Sequence, residues 1–133
     1  MTKRSLLATL TATGLSACLV CCSSYEGFEL RSRSTPPVPV AVDAGSVMLP
    51  QGVAVAVQVI APGAEDPQTG ELYVGMRSSD PSVMAVWPTV EQGTFVVYGV
   101  SEGTAVLTVM FEDEDDETIP AKVTGIPSYN GDP

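Results

Sequence analysis

Three runs decide the fold: Ser78-Ser79-Asp80-Pro81-Ser82-Val83, Gly93-Thr94-Phe95-Val96-Val97-Tyr98, and Gly99-Val100-Ser101-Glu102-Gly103-Thr104-Ala105-Val106-Leu107-Thr108-Val109. Their rhythm is turn, strand, turn, strand, tight turn, strand. Asp80-Pro81 sets a turn, because Asp bonds its own backbone and Pro presets φ. Gly103 supplies the backbone freedom that a tight turn needs. After it, Ala105, Leu107, Val109 and Phe111 share one face, while Thr104, Val106, Thr108 and Met110 share the other. That period of two is the signature of a β-strand.

The same period extends outward on both sides. In Val53–Ile60 the large residues Val53, Val55, Val57 and Val59 fall on one face, which marks a central strand. Val38-Pro39-Val40-Ala41-Val42 reads as a first edge strand, since Pro39 cannot donate to an interior ladder. Asp43-Ala44-Gly45 allows a bend, and Val47 and Leu49 continue that edge. Pro62 to Gly70 is a loop. Further strands are expected at Leu72–Arg77, Val83–Trp87, Thr94–Val100 and Ile119–Thr124. Six consecutive acids, Glu112 to Glu117, cannot pair in a sheet without repulsion and form a loop. No amphipathic helix is present in the pattern. Seven to eight short strands, about eight to twelve residues apart, predict an all-β, immunoglobulin-like Greek-key β-sandwich, with a closed barrel as the alternative.

The Ser78–Val83 run, the Gly-Thr turn and the Gly99-Val100-x-x-Gly103-Thr104-Ala105-x-Leu107-Thr108-Val109 pattern resemble the group-2 bacterial immunoglobulin-like domain of invasin- and intimin-type adhesins. The resemblance covers about Val38 to Thr124, with most of its specificity in the second half. It implies a sandwich module on a secreted or surface bacterial protein. Two departures stand out. Met76 occupies the place where the family has a tryptophan before the serine run, and Trp87 instead follows the next strand, where an aromatic core contribution could have moved. There is one copy, whereas adhesin stalks stack many, which favours a small tethered module.

The formal net charge is −10, and removing Lys3 and Arg4 with a leader leaves Arg31, Arg33, Arg77 and Lys122 against sixteen acids, a net −12. Such a chain repels phosphates, so no nucleic acid partner is expected. The hydrophobic content of 44% is enough for one packed core within 133 residues.

At the N-terminus, Lys3 and Arg4 precede a modest apolar run from Ser5 to Thr13. That run is too short for a spanning helix, which needs about 20 apolar residues, and reads as an export signal over residues 1–17. Leu15-Ser16-Ala17-Cys18 resembles the lipobox of bacterial lipoproteins, in which the cysteine is lipidated and becomes the first residue. Cys18 is therefore the expected lipidation site and the membrane the expected partner, through two or three acyl chains. No aspartate follows Cys18, which resembles outer-membrane sorting. Cys18 and Cys21 have C-x-x-C spacing, but no strand-to-helix context or second pair accompanies it. Cys21 and Cys22 lack small residues at the lipobox offsets. Residues 18–37 then form the lipidated cysteine and an extended tether, 38–125 the immunoglobulin-like domain and 126–133 a loose tail. Ser23 to Pro37 would reach at most about 50 Å.

Little in the chain supports catalysis. It has no histidine, so a Ser-His-Asp arrangement cannot form. Lys122 is the sole lysine outside the leader, and no motif surrounds it. Two carboxylates can hydrolyse glycosides, but the domain offers few aromatics for a sugar cleft. The acidic loop, through Asp113, Asp115, Asp116 and Glu117, is the candidate metal site, with calcium the hard cation it would suit. Its run lacks the glycine of an EF-hand loop, and a solvated acidic loop is the plainer reading. Asp43, Glu65 and Asp66 would have to converge on it to complete a shell. Trp87 and Tyr73 are the candidate binding residues, within an aromatic strip that also includes Phe95 and Tyr98. Adjacent phases cannot all point outward, so Phe95 or Tyr98 belongs to the core, while Trp87, before Pro88 at a strand end, is expected to be exposed. The expected function is non-enzymatic: an envelope-anchored lipoprotein displaying the sandwich for protein or glycan binding or for scaffolding. The alternative is a calcium-binding secreted module.

Overall fold

The computed structural model describes residues 25–127. The expected leader, Cys18, Cys21, Cys22 and the end of the expected tail, residues 128–133, lie outside them. Among the described residues nine strands follow in order: β1 Glu29–Ser32, β2 Ala41–Val42, β3 Val47–Pro50, β4 Ala54–Ile60, β5 Val74–Ser78, β6 Met84–Pro88, β7 Thr94–Gly99, β8 Gly103–Phe111 and β9 Glu117–Thr124. They form two sheets, one ordered β1-β4-β7-β6 and the other β2-β3-β9-β8-β5. The chain is all-β and a sandwich, so the closed barrel does not arise. No helix occurs among the described residues.

The alternation seen in the sequence sorts side chains as expected. Along β4 the residues Val55, Val57 and Val59 are buried, and along β8 so are Ala105, Leu107, Val109 and Phe111. Leu49, Met84, Val97, Ile119 and Val123 complete a core with essentially no exposure. Each such aliphatic side chain contributes about 1.5–3 kcal/mol through burial.

The serine-rich signature acquires a physical account. Ser79 extends the β5–β8 ladder: its N–H donates to the Val106 carbonyl and its hydroxyl accepts the Val106 N–H, both at 2.8 Å. The Asp80 carboxylate then accepts from the Ser82 N–H and hydroxyl, closing the turn. Val83 is the joint between the two halves of the motif. Its carbonyl accepts from Val100 N–H at 2.8 Å, and its side chain packs where a Cβ on Gly103 would sit, 3.2 Å away. Gly103 adopts φ +154°, which disfavours any side chain there.

Three sequence expectations change. Residues 29–32, expected within an extended tether, form β1, with Leu30 opposite Val59 and Arg31 opposite Gln58. The pairing continues past the strand, because Arg33 N–H donates to the Ala56 carbonyl and Ala56 N–H to the Ser34 hydroxyl. Tyr25 and Phe28 dock on Phe111, with ring centroids 5.5 and 6.2 Å away. The sandwich thus begins before the expected boundary at residue 38. Second, Val38–Val42 contracts to the two-residue β2. Third, β3 is no edge: it pairs with β2 and, in parallel, with β9, matching Val47 to Ala121 and Leu49 to Val123. A parallel partner so far along the chain leaves no local trace in sequence.

Trp87 is not a core aromatic. It lies on β6 with 51% of its surface exposed, while Met76 is buried in its own place. Among the described residues Phe95 and Phe111 are the buried aromatics.

Candidate binding surface

The three strands β4, β7 and β6 contain no charged residue at all, in a chain of net charge −10. Their inner faces fill the core. Their outward-pointing positions align in rows set by the register: Ala54 beside Tyr98 beside Ala85, then Ala56 beside Val96 beside Trp87, then Gln58 beside Thr94, although Thr94 itself is buried. Trp87 and Tyr98 are diagonal neighbours on this face, with ring centroids 6.0 Å apart and planes inclined by 37°. The alanines are short, so the two aromatics stand above a flat apolar floor. Past β4, the margin on β1 carries Arg31, ion-paired to Glu29 at 3.3 Å. Large exposed apolar side chains are informative where they cluster.

Tyr73 does not join this surface. It precedes β5, is 40% exposed, and its hydroxyl donates to Glu71. That bond to a carboxylate raises the Tyr73 phenol above its ordinary value, with the Glu71 charge adding. Phe95 is buried and Tyr98 half-buried, so the expected aromatic strip divides between core and surface. Trp87 was legible as exposed from its place before Pro88. Its pairing with Tyr98 was not, because it depends on the register of two strands.

The other outer face differs. On β5, β8 and β9 it presents Arg77 and Lys122 among threonines, and an open depression of about 470 Å³ lies beside Met48, Val106, Pro120 and Lys122. Ser46 and Ser79 also line it. The Ser79 hydroxyl accepts the Val106 N–H. A second depression of about 490 Å³ runs between Ser34–Val38 and Gln51–Ala54, beside Ile126 and Pro127.

The acids do not converge. The Asp43 carboxylate accepts from Gly45 and Ser46 N–H at 2.7 and 2.9 Å, Asp66 from Gln68 and Thr69 N–H, and Glu65 from Gly63 N–H. Each caps its own loop. Asp113, Asp115 and Asp116 are exposed in the β8–β9 connection, and Glu117 opens β9 opposite Val109. Among the described residues no three acidic or sulfur or imidazole groups come together to hold an ion. Calcium and magnesium are therefore expected to raise the melting temperature equally, as screening cations. A rise specific to calcium, at matched ionic strength, would reveal a site. The acidic connection does act on its neighbour: burial pushes the Tyr25 hydroxyl up, and the charges of Glu117 and Glu114 add to the shift.

No protein-family model and no curated protein sequence matches the chain. Several solved structures are similar in outline. Domains 4 and 5 of the S-layer protein SbsC align over 65% of this chain and 51% of theirs, at 21% identity and a TM-score of 0.45. A structure of SbsC domains 4–9 aligns over 77% of this chain and 15% of its own length, at 19% identity and a TM-score of 0.44. The ZirS C-terminal domain aligns over 93% of this chain and 85% of its own, at 8% identity and a TM-score of 0.38. The chain spans about half the length of the first of these structures.

Proposed function

We propose that this chain is an exported bacterial lipoprotein, anchored in the outer membrane through Cys18, that displays one immunoglobulin-like sandwich as a non-enzymatic binding module. The observation that carries the reading is the nearness of the lipobox-like Leu15-Ser16-Ala17-Cys18 to the folded domain. Tyr25 already packs on Phe111, so seven residue steps from Cys18 allow a reach of at most about 25 Å. That is little more than a third of what a tether from Cys18 to residue 37 would give, about 65 Å. The anchor would hold the Phe111 end, with its acidic β8–β9 connection, nearest the membrane, and both sheet faces would stand upright and accessible.

The test is incorporation of labelled palmitate with membrane fractionation, for the wild type and Cys18→Ala. The expected result is label in the wild type, and loss of both label and membrane association in the variant. An unlabelled wild type would sink the reading.

A further inference from the structure

From the uncharged outer face of β4, β7 and β6, we infer that the domain binds an uncharged glycan, seated on Trp87 and Tyr98. The inference rests on reading the domain as a binding module, and names its surface and ligand class.

Three observations select this occupant. The first is chemistry. A pyranose ring presents a flat face of C–H groups that stacks on an aromatic ring, and hydroxyls around its rim that seek hydrogen bonds. The face offers two neighbouring rings 6.0 Å apart, with Ala54, Ala56 and Ala85 leaving room beside them. The Gln58 amide and the Tyr98 hydroxyl are the polar groups at hand. The second is charge. The three strands themselves carry no cation, Arg31 beside Gln58 on β1 is engaged by Glu29, and a net charge of −10 repels an anionic ligand at long range. Uronic acid polymers, nucleic acids and acidic proteins are disfavoured together.

The third is size. Strands of seven, six and five residues span about 14 Å across and about 17–23 Å along, or about 240–320 Å². A stable protein interface needs about 800 Å² on each partner. Beyond the face, the β1 margin turns to the solvent-exposed Arg31–Glu29 pair, and the apolar area ends there. A short run of sugar rings matches the area; a folded protein does not.

Trp87 is the one tryptophan of the chain, so its emission reports on this face alone. The full chain would be titrated with cellohexaose, maltohexaose and chitohexaose, with polygalacturonate as the charged comparison. The expected result is a saturable change in emission with at least one uncharged oligosaccharide, insensitive to salt, and none with polygalacturonate. Tyr98→Ala keeps the reporter and should weaken binding at least about tenfold. Calorimetry should show a similar loss for Trp87→Ala, whose side chain lies outside the core, and a smaller one for Gln58→Ala.

No saturable change with any of the three oligosaccharides would overturn the inference, as would undiminished binding in both aromatic variants. A concentration-dependent dimer that shifts Trp87 emission without sugar would give the face to a second copy instead. Failure of the anchor is read separately, from Cys18→Ala fractionation, and leaves this titration unaffected.

Discussion

Replacing Leu30 by alanine is expected to lower the stability of the domain by about 2–4 kcal/mol, the usual cost of emptying a buried leucine site. For a domain of this size that corresponds to a fall in melting temperature of about 10–20 °C. Leu30 is 3% exposed and faces the core from β1, opposite Val59. Its neighbour Arg31 points the other way, and its ion pair with Glu29 is solvent-exposed, so Arg31→Ala should change stability by less than about 1 kcal/mol. The pair of variants separates two descriptions of residues 29–32. If they are an integral strand, thermal unfolding distinguishes the variants sharply. If they are a tether lying on the surface, Leu30→Ala and Arg31→Ala will melt alike. The same comparison bears on the anchor, since its short reach depends on the sandwich beginning at this point.

Gly99→Ala is expected to cost about 2–3 kcal/mol, as overpacking at a site with no room to yield. Gly99 ends β7 on its inner face. A Cβ there would lie 2.6 Å from the Pro50 carbonyl oxygen of β3 and 3.1 Å from a Val123 methyl of β9. The obstacle is backbone, so no side-chain rotation relieves it. The glycine's own backbone is also committed: its N–H donates to the Val53 carbonyl at 3.0 Å and its carbonyl accepts the Gly52 N–H at 2.8 Å. Here the two sheets approach closely enough that only hydrogen fits between them. Denaturant unfolding of Gly99→Ala should show a lower midpoint at an unchanged slope. A midpoint within error of the wild type would mean that the sheets are farther apart at this end than described.

Gly99 appears in the sequence only as the opening of a Gly-Val turn pattern, and nothing local distinguishes its role from that of Gly103. The difference is tertiary. Gly103 is needed for its own backbone angle, which a turn motif reveals. Gly99 is needed because β3, remote in sequence, passes over it. The candidate site divides in the same way. The alternation of Thr94–Tyr98 and the exposure of Trp87 ahead of Pro88 were legible from residue order. Residue type alone places Tyr73 with them, and the fold sends it to a loop bonded to Glu71. The acidic residues were legible as loop formers, except that Glu117 opens β9 and pairs opposite Val109 instead of staying in the loop; the backbone N–H groups that occupy Asp43, Glu65 and Asp66 depend on the folded loops.

By itself, then, the sequence determined what depends on neighbours along the chain. It specified the all-β class, the period that buries Val55, Val57, Leu107 and Val109, the Asp80 and Gly103 turns, and the absence of histidine chemistry. Only the tertiary structure decided what depends on which strands meet. Those are the inclusion of β1, the parallel pairing of β3 with β9, the close approach at Gly99, and the uncharged face that sets Trp87 beside Tyr98. The physical reason is that strand pairing uses backbone groups common to every residue. A sequence therefore records which side of a strand is apolar far more clearly than which strand lies beside it.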